Sequence, residues 1–229
     1  MRGAVTVAVN RNGEIVGYSD NGTGEDPVLW SGADHSMEPL PEPACNQCGE
    51  IIVRANAIND SGTAVGTGPV NVPSSPTGAG NAALEWQGGT VTSLGTLSGG
   101  SESAASGING EADVVGMSQV GPGSSSPWHA FLYHAGAMTD LGTLPGDTAS
   151  NAVSINGSGE IVGGSDSGPF FYVNGTMFAL KSLIDSTDPL AAVVQLEGAV
   201  SINAQGWIAV NGTDTRDGTS RAFLLLPSH

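Results

Sequence analysis

The chain has 229 residues, 22 of them acidic and 6 basic, for a formal net charge of −16. Such a surface is repelled by phosphate backbones and anionic lipid, which argues against nucleic-acid and membrane partners and leaves cations, neutral sugars and basic proteins. Only 12% of residues are charged, and 35 Gly and 13 Pro punctuate short apolar runs, the pattern of an all-β protein with many tight turns.

In chain order, one phrase recurs five times: an apolar stretch ending in Asn, a short turn, and a second apolar stretch that usually ends in Val-Gly. It reads VAVN-RNGEIVG from Val7, NAIN-DSGTAVG from Asn56, SGIN-GEADVVG from Ser106, VSIN-GSGEIVG from Val153 and VSIN-AQGWIAV from Val200. The anchoring residues Asn10, Asn59, Asn109, Asn156 and Asn203 lie 49, 50, 47 and 47 residues apart. A period this steady marks a repeat architecture, in which no unit buries its apolar face alone. The whole chain, 1–229, is therefore expected to be one domain, with repeats at 4–53, 54–102, 103–148, 149–197 and 198–229.

The third repeat shows four strands most clearly: Ser103 to Asn109, Asp113 to Ser118, His129 to Tyr133, and Ala137 to Leu144. Each is short, β-branched or aromatic, and bounded by Gly, Asn, Pro or Ser. The other repeats align with it. Their third strands carry Trp30, Trp86, Tyr133, Tyr172 and Leu225. Their fourth strands carry Met37, Val91, Met138 and Met177, followed three residues later by Leu40, Leu94, Leu141 and Leu180. Such columns read as core between repeats. The stretch from Lys181 to Gly198 is the one place for a short helix. Four strands in a period near 48 predict a five-bladed β-propeller, the longer period arguing against a β-helix or solenoid. The last repeat stops after its third strand, so its blade is expected to be three-stranded.

Cys45 and Cys48 form a C-x-x-C pair. A thioredoxin-like redox pair needs a βαβ context that is absent, and a zinc site needs further ligands, of which His35 is the nearby candidate. A short disulfide pinning the loop is the favoured reading, and it fits an oxidising compartment. No run is long enough to span a bilayer, so no membrane insertion is expected. MRGAVTVAVN enters the first repeat without a signal-peptide pattern. That fits either a cytosolic protein or the mature part of an exported chain; the lysine-poor, Thr/Ser/Asn/Gly-rich composition favours the second, in an extracellular or periplasmic setting.

The stretch HAFLYHAGAMTDLGTLPGDTASNAVSINGSGEIVGGSD, from His129 to Asp166, resembles the HAF repeat of extracellular bacterial proteins. The resemblance extends over nearly the whole chain as degenerate copies. His-Ala-Phe survives only at His129; Asp26, Ala82, Gly168 and Arg221 stand at the equivalent positions. Gly-Thr-Leu survives at Gly95 to Leu97 and Gly142 to Leu144, and Val210 replaces the glycine of the fifth Val-Gly. The resemblance implies an exported repeat protein and no particular chemistry.

In a propeller the first-to-second and third-to-fourth strand turns share one face, and here these are tight. The Asn of each phrase can bond the backbone of its turn, as in an Asx-turn, and the Val-Gly glycines suit close strand packing or a bulge. The second-to-third loops and the blade connections share the other face. They are expected to be long: SDNGTGEDP from Ser19, TGPVNVPSSPTGAGN from Thr67, SQVGPGSSSPW from Ser118, NGTDTRDGTSR from Asn211 and EPLPEPACNQCGE from Glu38. Irregular loops on a rigid scaffold are where binding concentrates. The candidate ligand-binding residues there are Asp20, Glu25, Asp26, Trp128, His129, Asp166, Asp214, Asp217 and Arg221. Trp128 beside His129 offers an apolar platform with a polar tip, suited to a sugar ring, unless Trp128 only packs on the next blade. Carboxylate pairs could act as acid and base in glycoside cleavage, or simply be solvated. The loop around Asp214 and Asp217 departs from the calcium-loop spacing, so calcium is a weak expectation and no other cofactor is expected. The sequence thus favours a monomeric binding module for a glycan or protein ligand, with a glycan-active hydrolase or lyase as the alternative.

Overall fold

The computed structural model describes residues 2–20, 22, 24–34, 36–46, 48, 52–72, 78–123 and 125–227. Five antiparallel sheets follow one another along the chain, and they form a five-bladed β-propeller. The first blade contains β1 (Arg2–Val9), β2 (Ile15–Asp20), β3 (Glu25–Trp30) and β4 (Met37–Pro39). The second contains β5 (Arg54–Ile58), β6 (Ala64–Asn71), β7 (Ala79–Gln87) and β8 (Thr90–Gly95). The third contains β9 (Ser103–Ile108), β10 (Val114–Gln119), β11 (Trp128–His134) and β12 (Ala137–Gly142). The fourth contains β13 (Ser150–Ile155), β14 (Ile161–Ser165), β15 (Gly168–Val173) and β16 (Thr176–Ala179). The fifth has three strands, β17 (Val194–Ile202), β18 (Ile208–Asp214) and β19 (Thr219–Leu225), as its shortened sequence predicts. Where a helix was expected there is only a 3₁₀ turn, Leu180–Leu183, before a series of turns. Lys181, the only lysine, straps this segment by donating from Nζ to the Val194 carbonyl at 2.7 Å. Among the described residues no helix is long and apolar enough to cross a membrane.

Strand alternation sends successive side chains to the two faces of each blade, so each of the three middle blades packs on both neighbours. The aromatic column lies in register with the second strands: Trp30 opposite Ile15, Trp86 opposite Ala64, Tyr133 opposite Val114, Tyr172 opposite Ile161 and Leu225 opposite Ile208. Met37, Val91, Met138 and Met177 pair with the first four of these from the fourth strands. The core then runs between blades. Val115 and Ala130 of the third blade, for example, meet Ala152, Ile155, Ile161 and Phe170 of the fourth. Each first strand carries a register shift three residues before its Asn, at Val7, Asn56, Ser106, Val153 and Val200. Beside these bulges the Val-Gly glycines pass close under the first strand. A Cβ on Gly17, Gly66, Gly116 or Gly163 would stand 1.9 to 2.0 Å from the carbonyl oxygen of Val5, Arg54, Ala104 or Asn151, which only glycine permits. The fifth blade has a second shift, between Leu196 and Gly198, and its close approach falls two residues later, at Gly212. Val210 therefore fits the glycine column there.

The Asn turns follow one plan. Each Asn Oδ1 accepts from the backbone N–H two and four residues on, for example Ser61 and Thr63 on Asn59. The sequence did not reveal the second use of these side chains. Asn10 Nδ2 donates to the Asn59 carbonyl at 3.0 Å, Asn59 to Asn109 at 3.1 Å, Asn109 to Asn156 at 3.2 Å, and Asn156 to Asn203 at 3.0 Å. One ladder of side-chain amides thus ties every blade to the next. Ser103 and Ser150 add a second staple. Each hydroxyl accepts from an N–H of the preceding blade, Ala83 or Ala130, at 2.8 Å and donates back to Gly95 or Gly142.

Candidate functional site

All nine candidate residues lie toward the end of the blades opposite the Asn turns, at or near the second-to-third connections, but those connections are shorter than expected. β6 and β7 pair from Ala64–Trp86 out to Asn71–Ala79, and β18 and β19 pair out to Asp214–Thr219. The Gly, Pro and Asn content of these segments reads as loop, yet backbone pairing in a long hairpin satisfies the same residues. Among the described residues, irregular backbone at this end includes 120–123, 125–127, 40–46 and 184–193.

The carboxylates are mostly engaged. Asp20 closes a local turn by accepting from the Gly22 N–H at 2.7 Å. Glu25 receives Arg54 through both Nε and Nη2, the latter at 3.0 Å, and the Arg54 guanidinium lies 4.8 Å from the centre of the Tyr18 ring. Asp26 hydrogen-bonds to Glu42; partial desolvation first, and Asp26 second, push the Glu42 pKa up. His129 Nδ1 faces both oxygens of Asp140, at 3.0 and 2.9 Å. Asp166 accepts from the N–H groups of Thr148 and Ala149 and from the Thr148 hydroxyl, and these bonds, the Thr148 N–H foremost, hold its pKa down. Asp147 reciprocates on Ser167.

In the fifth blade, Asp214, with a side chain only 1% exposed, accepts from Arg216 and from Arg221, and Arg221 also reaches Asp217. The Arg216 side chain is the main cause that holds the Asp214 pKa far below the ordinary carboxylate range. These carboxylates are neutralised by arginines, so as placed they do not fit a calcium ion. No group of three or more His, Cys, Asp or Glu suited to a metal occurs among the described residues. Cys45 and Cys48 are joined in a disulfide, with Cα atoms 5.6 Å apart, and Asn71 of the long hairpin holds the loop through the Asn46 N–H at 3.1 Å. His35, the zinc candidate, lies outside the described residues.

Of the depressions that the described residues form at this end, two involve the candidate residues. One, of about 410 Å³, is lined by Ile52, Arg54, Asn56, Thr67, Pro69 and Asn81. Of the nine candidates only Glu25 bears on it, by fixing Arg54. The other, of about 320 Å³, lies between the third and fourth blades, and its lining includes Trp128, Met117, Asn151, Ser165 and Asp166. It is where the fold brings two candidates together: Trp128 opens β11 and is half-buried, while Asp166 sits in the turn after β14. Asn151, on β13, was not singled out in the sequence; its place one residue after the stapling Ser150 is the signal that could have found it.

No family model matches the chain, and no curated protein matches it in sequence. Solved structures do match in fold. An acylaminoacyl peptidase in complex with Z-Gly-Gly-Phe-chloromethyl ketone aligns over 97% of this chain and 37% of its own, at 14% identity and a TM-score of 0.56. The extracellular domain of a protein assigned to a hybrid two-component system from B. thetaiotaomicron aligns over 95% of this chain and 27% of its own, at 11% identity and a TM-score of 0.53. The β-propeller domain of the Trilobed protease from Pyrococcus furiosus aligns over 96% of this chain and 81% of its own, at 10% identity and a TM-score of 0.45. The chain spans about a third of the length of the first two. At TM-scores of 0.56 and 0.53, the first two show a likeness of fold alone.

Proposed function

We propose that this propeller is an exported binding module that holds a neutral glycan in the cleft between its third and fourth blades. The observation that carries this reading is the shared lining of that cleft by Trp128, Asn151 and Asp166. An aromatic face covers the apolar side of a sugar ring, while an amide and a carboxylate accept and donate at its hydroxyls. The volume, about 320 Å³, suits one or two rings. Asp166 is held as a carboxylate by three hydrogen bonds, which suits an acceptor for hydroxyls and not a proton donor. The HAF resemblance and the Cys45–Cys48 disulfide support an extracellular or periplasmic setting. The test is a glycan array probed with the wild-type chain and with Trp128→Ala. Retention of a neutral glycan by the wild type, lost in a folded Trp128→Ala chain, is expected; retention undiminished by the substitution would refute the site.

The hydrolase or lyase reading rests on a different place. The Asp26–Glu42 contact is where a carboxyl is pushed toward its protonated form, as a general acid requires. Turnover of a bound glycan, abolished by Asp26→Asn, would favour that reading over simple binding.

A further inference from the structure

The Asn ladder has a direction. Each side-chain amide donates to the Asn carbonyl of the following blade, and the series ends loose on both sides. At the tail, Asn203 Oδ1 accepts from Gln205 and Trp207, but its Nδ2 has no partner among the described residues. At the head, the Asn10 carbonyl accepts, among the described residues, only the turn bond from Gly13, whereas the Asn59 carbonyl accepts both a turn bond and a ladder bond.

The apolar columns stop in the same way. The residue before each Asn faces the preceding blade. Ile58, Ile155 and Ile202 are buried there, and Val9 is 63% exposed. On the opposite face, Leu29, Leu132 and Phe171 are partly covered by the following blade, and Leu224 of the same column is 56% exposed. Trp207, 45% exposed, stands four residues after Asn203, where Glu14, Thr63, Asp113 and Glu160 follow the other asparagines. Glu14 and Glu160 reach over Gly62 and Gly206 of their following blades, so Trp207 is placed to cover Gly13 of a blade that follows the fifth.

We propose that the tail face of one copy of this chain docks on the head face of a second copy, continuing the inter-blade interface, with Asn203 Nδ2 donating to the Asn10 carbonyl across the junction. The occupant is a second copy because the same ladder already builds four such interfaces within the chain, three of them with an apolar side chain at the Leu29 position and the second-to-third with Glu85 there. Both end faces stay open in the folded chain, as the exposure of Val9 and Leu224 shows. The contact is heterologous, so copies add in a row or close into a larger ring. With −16 charges per copy, association strengthens as salt screens repulsion.

Sedimentation velocity over a range of protein and salt concentrations tests this. The wild type is expected to move from 22.9 kDa to multiples of that mass as concentration rises. Val9→Glu removes the head and Leu224→Glu the tail; both residues are exposed, and circular dichroism is the check that each variant folds. Each variant alone should stay at 22.9 kDa, and an equimolar mixture should stop at twice that mass, because one good head meets one good tail. A wild type that stays at 22.9 kDa throughout, a single variant that assembles like the wild type, or a mixture that forms no dimer would overturn the proposal.

Discussion

Replacing one rung of the Asn ladder separates its two uses. Asn59, 5% exposed, accepts three hydrogen bonds at Oδ1, from the Ser61 N–H, the Ser61 hydroxyl and the Thr63 N–H, and donates one from Nδ2 to Asn109. At a net ~1 kcal/mol per bond, Asn59→Ala should cost about 3–4 kcal/mol. For a chain of this size that lowers Tm by roughly 6–16 °C. Asn59→Asp keeps the three accepted bonds, loses the donated one and sets an anionic oxygen against the Asn109 carbonyl; about 2–3 kcal/mol is expected at neutral pH. Asn203→Ala is the control. It loses only two turn bonds at an exposed site, and about 1 kcal/mol should go. Calorimetry on the three variants at a concentration where the chain is monomeric reads the order directly. If Asn203→Ala costs as much as Asn59→Ala, the ladder contributes nothing and the reasoning fails.

Other outcomes follow from the same coordinates. Gly116→Ala places a Cβ 2.0 Å from the Ala104 carbonyl oxygen and 2.9 Å from Phe131 Cε1, both of which the fold holds in place. It should cost more than about 3 kcal/mol in urea unfolding. Ala112 occupies the left-handed region, at φ 63°, where Gly13, Gly62, Gly159 and Gly206 stand in the other turns. Ala112→Gly should therefore raise stability by up to about 1 kcal/mol, and an unchanged or lower urea midpoint would contradict that strain. Asp214 has its pKa lowered in the folded chain, chiefly by Arg216. Its stabilisation is present above the ordinary aspartate pKa of 3.8 and is lost as pH falls below it. Asp214→Asn should flatten the acid limb of a stability–pH profile below that value and lower the plateau above it.

The blades were legible because strand alternation and Gly-Asn punctuation are local, and because five copies reinforce one reading. The core columns followed from aligning Trp30, Trp86, Tyr133 and Tyr172. The turn role of the asparagines was also legible, since Asx bonding spans only a few residues. Their ladder was not, because Nδ2 donates to a residue 47 to 50 positions away and nothing in one copy records it. The segments after Thr67 and Asn211 read as loops by composition, while backbone pairing extends both hairpins into them, to Asn71–Ala79 and Asp214–Thr219. At the candidate site, residue types pointed to Trp128 and Asp166 separately. Only the packing of the third blade on the fourth joins them and adds Asn151.

The claim that copies agree where they build the scaffold and differ where they bind is tested most directly by hydrogen exchange with and without a glycan retained on the array. Slowed exchange confined to backbone amides around Met117, Trp128 and residues 149–166 is the result predicted here. Protection centred on the five Asn turns, with none around Trp128, would contradict it.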